Sequence, residues 1–303
     1  MIKYSKIDEL PKGEATKEVT PGCVIMEGGA FRGLYGEGAA DALMKAGLMF
    51  ESTVGVSAGA LNGIAYLSGQ IGRTGRINLS SRRDNNYVGI KSWIQTKSVI
   101  NFDYLFGPLS EPEPLDKTTF FRGDRRFFIT ATCCETGEMT VFEKNDIGDL
   151  NKVYKTIQAS SSMPFVSQMI DIDGKHYLDG GCSTKVPYQW AIDQGYEKIL
   201  VIRTRPRDYR KKISKFGQSF PKYFYHQYPK FAQSLSGVNQ KYNRECDEMV
   251  ELEKSGRIFV IAPSEPVTVR RLESDMEKLG DLYWLGYHDT EKSIEDLKKY
   301  LHS

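Results

Sequence analysis

Short apolar runs that end in glycine alternate with stretches of helical periodicity through the first part of the chain. Residues 23–26 are such a run, entered through a Thr20-Pro21-Gly22 turn, and predict a buried strand. Residues 33–47 place Leu34, Ala39, Leu43 and Ala46 on one stripe and predict a helix. Residues 50–56 predict a second strand, and the small side chains of residues 58–67 a second helix. Strand, helix, strand, helix at this spacing implies a parallel sheet with helices on its faces.

Periodicity then lapses. Residues 69–125 are polar and aromatic, with Pro108, Pro112 and Pro114, and are expected to form loops and short helices over the sheet edge beside a substrate entrance. Residues 127–132 resume as a strand, paired with 139–142 across Glu135-Thr136-Gly137-Glu138. A helix over 151–161 should stop before Met163-Pro164, because a residue preceding proline avoids the helical region. Residues 171–178 predict a hairpin turning at Asp173-Gly174, followed by a helix over 186–194 and a strand over 198–203.

Past that strand the composition changes. Residues 203–215 carry seven basic side chains against one acid, Asp208, and residues 223–231 are dense in aromatics. A long helix, a strand at 257–262 and a charged terminal helix complete the pattern. The expected organisation is a lead-in (1–21), a main α/β domain (22–203) and a mostly helical C-terminal extension packed on it (204–303).

Composition narrows the class. With 303 residues, 40% hydrophobic, 26% charged and a net charge of +2, the chain reads as a folded protein whose overall charge selects no partner. Its five cysteines are odd in number and contain no C-x-x-C pair, which argues against a disulfide framework and a zinc site. The opening residues lack an apolar signal core, and no apolar run is long enough to span a bilayer. The expected location is cytoplasmic, with membrane contact only peripheral. The basic stretch reads equally as a headgroup-facing segment or a solvated loop. The aromatics could meet a bilayer interface, although packing against the main domain is the simpler expectation. No nucleic-acid module frames these residues, so nucleic acid is not an expected partner.

Three motifs carry chemistry. Gly55-Val56-Ser57-Ala58-Gly59 lies between a predicted strand and helix, where small neighbours permit the strained turn that lifts a serine oxygen above a sheet edge. The following helix directs its positive end at that oxygen. Glu27-Gly28-Gly29-Ala30-Phe31-Arg32-Gly33 follows the first strand; acyl transfer needs backbone N–H donors there, and Arg32 would pin the loop or face an anionic headgroup. The same strand–loop–helix form suits a dinucleotide, with Glu51 near the place of a ribose-binding acid. Ala30 in place of the middle glycine, and a nucleophile turn ending the next strand, weigh against that alternative. The third motif, Tyr177-Leu178-Asp179-Gly180-Gly181, offers a base. Of the four histidines, His226 and His302 read as surface residues, His288 has no marked setting, and His176 alternates away from Asp179.

A glycine-rich loop carrying arginine, then G-x-S-x-G, then a distant Asp-Gly-Gly resembles the patatin-like phospholipases. The run from Ala159 through Ser160, Ser161, Ser162, Met163 and Pro164 to Phe165 is similar to a stretch preceding the family's aspartate. The hexapeptide Asn101-Phe102-Asp103-Tyr104-Leu105-Phe106 resembles a segment of bacterial members. The resemblance covers about residues 22–186. It implies a three-layer α/β/α fold with a mainly parallel sheet and a Ser57–Asp179 dyad that uses no histidine, metal or other cofactor. It also implies an oxyanion hole around Gly28, Gly29 and Ala30, supported by Arg32, Gly33, Gly55, Gly59, Gly180 and Gly181. The expected substrate is a phospholipid, lysophospholipid or other acyl lipid; a lipid- or partner-binding protein of the same fold without useful turnover is the alternative. The family has glycine where Ala30 stands, so the hole is expected intact if Ala30 keeps a negative φ.

Overall fold

The fold is described from a computed structural model covering residues 3–303. Its centre is an eight-stranded sheet built from β1 (Thr20–Met26), β2 (Phe50–Val56), β3 (Arg126–Cys133), β4 (Met139–Glu143), β5 (Ile170–Ile172), β6 (Lys175–Asp179), β7 (Ile199–Ile202) and β8 (Phe259–Ile261). Five strands run parallel in the order β8-β7-β1-β2-β3. The remainder is antiparallel: β4 and β6 pair with β3, and β5 pairs with β6.

Alternation along β1 shows why the sheet needs helices on both faces. Val24 and Met26 enter one apolar core, Cys23 and Ile25 the other. The first core is covered by α1 (Leu34–Lys45), α2 (Ala58–Ser68), α3 (Arg73–Ser81), the C-terminal helix and part of α5 (Leu150–Ser161). The second is covered largely by Tyr188–Asp193 and by Tyr242, Cys246 and Met249 of a long helix from the last third of the chain. All five cysteines are buried and free, filling space as small apolar groups.

Residues beyond 203 help to build the sandwich. After α4 (Ile90–Thr96) and α5, the chain forms α6 (Lys215–Phe224), the long α7 (Pro229–Lys254), edge strand β8, and α8 (Met276–His302), which packs along α1. No helix among the described residues is long and apolar enough to cross a membrane.

Two expectations change. The lead-in is tied down from Tyr4 onward: Tyr4 is buried, its N–H donates to the Leu79 carbonyl, and Gly13–Glu14 pairs with Gln70–Ile71. Its first two residues lie outside the described range. Residues 69–125 cover helices rather than a sheet edge, because α3 buries Ile77 and Leu79 against α1, α2 and α8. Gly69 and Gly72, both at positive φ, turn the chain into that position.

Candidate active site

The strand registers bring Ser57 and Asp179 together. Val56 of β2 lies opposite Thr130 of β3, and Asp179 of β6 lies opposite the next residue, Ala131. Thr130 and Ala131 both pair with β4 on their other edge, so β2 and β6 share one edge of β3. Since β2 runs parallel to β3 and β6 antiparallel, their C-terminal ends meet head-on. Two residues 122 apart in sequence thereby become neighbours, and Ser57 Oγ donates to Asp179 Oδ2 at 2.6 Å.

Ser57 has φ 56° and ψ −122°, a left-handed backbone that a non-glycine residue adopts only under constraint. Its N–H donates to Ser160 Oγ at 2.8 Å, and the Asp179 N–H donates to the Ser162 carbonyl at 2.9 Å. One turn at the end of α5 therefore straps both residues. The second oxygen of Asp179 accepts the Gly181 N–H at 2.8 Å. Burial pushes the Asp179 carboxyl above its ordinary range. The Ser57 and Gly181 hydrogen bonds, then the positive charges of Lys185 and Arg271, pull it only partway back.

The loop after β1 lies against this pair. A Cβ on Gly28 would sit 2.7 Å from Ser57 Cβ and 2.7 Å from the Val56 carbonyl oxygen, so only glycine lets the loop approach so closely. Gly33, Gly55, Gly59 and Gly180 stand at similar contacts, where an added Cβ would meet Ala58, Ala60, Met26 or Thr130 within 2.6 Å. Glu27 fixes the loop to the end of β7: its Oε2 accepts the Thr204 N–H at 2.6 Å, and Thr204 Oγ1 donates to the Gly28 carbonyl at 2.9 Å.

Ala30 departs from expectation, with φ 51°. The left-handed turn leads into a short 3-10 helix, Ala30–Gly33, held by Phe31 N–H donating to the Arg271 carbonyl at 3.1 Å. The Gly29 and Ala30 N–H groups have no protein acceptor among the described residues. Neither has the N–H of Ala58, the first residue of α2 and one that sequence reasoning omitted.

A cavity of about 250 Å³ opens over Ser57 and Asp179. Its walls include Gly28, Gly29, Ala30 and Arg32, the Met163-Pro164-Phe165 turn, Cys182, and Leu235 and Val238 of α7. Lys185, Lys211 and Arg271 also line it. Within the basic stretch, Arg207 pairs with Glu253 and Arg210 with Asp247 of α7. No histidine joins the site. His176 Nδ1 lies 2.9 Å from Glu135 Oε1, while His226, His288 and His302 are exposed. Glu51 lies at the start of β2, where its carboxylate accepts the Gly22 N–H; it is at the opposite end of the strand from the glycine loop. This placement removes the acid that a dinucleotide site would need.

Sequence reasoning missed Ser160, Thr204, Lys185, Lys211 and Arg271 as parts of this site. Ser160 belonged to a stretch noted only for its resemblance. Thr204 and Lys211 fall in the basic stretch read as either headgroup-facing or solvated, while Lys185 and Arg271 had no local pattern to mark them.

A three-layer α/β/α sandwich with a serine in a strained strand-to-helix turn beside a buried carboxylate has the architecture of a serine-hydrolase fold. Residues 24–192, more than half of the chain, match the family model of patatin-like phospholipases, and the chain belongs to that family. Residues 228–302 match a domain of unknown function, DUF6363. The uncharacterized protein YjjU of Escherichia coli K12 is 28% identical over 188 residues, which cover 60% of this chain and 52% of that relative. The chain thus spans about half the length of the curated relative it matches. The crystal structure of VipD from Legionella pneumophila aligns with 98% of this chain and 71% of its own, at 11% identity and a TM-score of 0.47.

Proposed function

We propose that this chain hydrolyses carboxylic esters of acyl lipids through an acyl-Ser57 intermediate, as a phospholipase A, lysophospholipase or related lipid acyl hydrolase. The observation that carries the reading is the 2.6 Å hydrogen bond from Ser57 Oγ to Asp179 Oδ2 beneath unengaged backbone N–H groups. Ser57 Oγ attacks the ester carbonyl carbon and its proton passes to Asp179. The oxyanion takes the N–H groups of Gly29, Ala30 and Ala58, and Gly28 keeps the loop close. The carbon–oxygen bond then breaks and Asp179 protonates the departing alcohol. Water attacks the acyl-serine, its proton goes to Asp179, and the carboxylic acid leaves as Ser57 regains a proton. Burial suits Asp179 to this role because it makes the carboxylate a stronger base.

Residues 22–203 are assigned as the catalytic unit and 204–303 as the extension that supplies one wall of its cavity. Peripheral membrane contact, from the cytoplasm, is proposed through exposed aromatics of α6 beside the cavity mouth. A fluorophosphonate probe should label the wild type and leave Ser57→Ala unlabelled, with hydrolysis of a p-nitrophenyl ester falling to background in the variant. Undiminished labelling of Ser57→Ala would place the nucleophile elsewhere.

A further inference from the structure

Four basic side chains from four separate segments converge on the cavity over Ser57: Arg32, Lys185, Lys211 and Arg271. Arg32 follows the glycine loop, Lys185 the Asp179 turn, Lys211 the exit from β7, and Arg271 precedes α8. Two carboxylates face them, and both are committed within the protein: Asp179 to Ser57 and Gly181, Glu27 to Thr204. None of the four cations forms an ion pair with a carboxylate among the described residues. This contrasts with Arg207 and Arg210 in the same stretch as Lys211, which pair with Glu253 and Asp247. Arg32 is buried and its Nε has no acceptor. Lys185 donates only to the Gly181 carbonyl, and Lys211 Nζ rests 4.9 Å from the Tyr242 ring centroid.

Like charges held together in a partly desolvated cavity raise the free energy of the empty site. The titration of Lys211, Arg32 and Lys185 reflects it. Burial, then the neighbouring cations, bring Lys211 down to about 7 and Arg32 to about 10, and burial also lowers Lys185. A bound anion would relieve this repulsion. Two guanidinium and two ammonium groups supply more donors than one carboxylate accepts, and suit the several oxygens of a phosphate.

We propose that these four side chains form a phosphate-recognition bay, so that the preferred substrate carries a phosphate-class anion next to the ester presented to Ser57. This deepens, and rests on, the assignment of Ser57 as nucleophile. The bay takes the headgroup, while the Met163-Pro164-Phe165 turn and the α7 residues Leu235 and Val238 provide apolar contact beside it.

The test separates binding from turnover. In the Ser57→Ala protein, calorimetry should show 1-acylglycerol 3-phosphate binding at least about tenfold more tightly than 1-acylglycerol of the same chain. Adding Lys211→Gln and Arg271→Gln should collapse that difference, with thermal melting used to verify folding. Equal affinity for the two lipids, or a preference that survives both substitutions, overturns the bay. Displacement of the anionic lipid by inorganic phosphate would support a site for phosphate itself. A lasting preference without displacement would support one that takes phosphate only as a lipid headgroup. Wild-type turnover of the two lipids is then measured separately: a binding preference without any hydrolysis would sink the nucleophile reading and leave the bay standing.

Discussion

At the scale of single residues, the site depends on backbone positions that side chains cannot share. Gly28→Ala would drive a methyl group into Ser57 Cβ and the Val56 carbonyl, displacing either the serine or the loop. Losing one oxyanion donor costs on the order of a hundredfold to a thousandfold in rate, and a displaced loop should reach that range in kcat for a p-nitrophenyl ester. Ala30 presents the opposite case. Its left-handed backbone carries a steric cost of about 1–2 kcal/mol that glycine avoids, partly offset by glycine's greater freedom in the unfolded chain. Ala30→Gly should therefore keep activity and raise stability by up to about 1 kcal/mol in denaturant unfolding. Asp179 supplies the pH signature. Its carboxyl is raised by burial and, in the proposed mechanism, must be ionised to accept the Ser57 proton, so kcat/KM should fall with acid through a pKa above the ordinary carboxylate range. Asp179→Asn should abolish turnover, leaving no such limb. Unchanged turnover in a His226, His288 and His302 triple variant would complete the contrast.

At the scale of elements, α1 carries a second buried acidic pair, Glu37 and Asp41, one helical turn apart. Asn78 Nδ2 donates to Glu37 Oε1 at 2.8 Å, and Asp41 accepts the Gly72 N–H and the Tyr283 hydroxyl. Burial, then the neighbouring Asp41, pushes Glu37 up to about 8; burial pushes Asp41 up to about 7. The folded protein keeps these protons where the unfolded chain has released them. The resulting stability is fully present below the ordinary carboxylate range and is lost as pH rises through the folded values. Glu37→Gln should accordingly raise the melting temperature more at pH 8 than at pH 5. An equal shift at both values would mean that Glu37 is ionised in the fold.

The same scale explains what could be read before the fold was known. A nucleophile turn requires strand, small residues and helix in immediate succession, so Ser57 was marked by its own neighbours. Asp179 was marked by glycines, and alternation along its strand turned His176 away. Neither signal revealed that β2 and β6 meet head-on, because that follows from two registers on β3. Lys211 showed only as part of a basic stretch, and Lys185 and Arg271 left no trace, for the same reason: their meeting exists only in the folded chain. Residues 69–125 and the lead-in were misplaced because their short elements acquire apolar partners from helices far away in sequence.

The whole molecule presents its apolar surface unevenly. On α6, Phe216 is 72% exposed and Tyr223 81%, and on α4, Ile90 is 80% and Ile94 61% exposed. The turn between them belongs to the cavity. Phe165 lies against Phe220 and Phe224 of α6, and the Val166 carbonyl accepts the Val99 N–H just beyond α4. Two exposed amphipathic helices thus flank the entrance, with Lys91 and Lys97 at one and Lys215 and Lys222 at the other. Such a surface costs nothing extra when it enters a lipid interface, where aromatic bodies bury and lysine stems reach toward headgroups. Full burial of a large apolar side chain contributes roughly 1.5–3 kcal/mol. Removing two should weaken membrane partition on the order of a hundredfold. Phe216→Ser with Tyr223→Ser should therefore reduce sedimentation with anionic vesicles and slow hydrolysis of vesicle lipid. These side chains stand outside the cavity lining, so hydrolysis of a dispersed short-chain ester should persist. If vesicle and dispersed substrates lose rate equally, the aromatics serve the packing of α6 on the domain and the membrane reading fails.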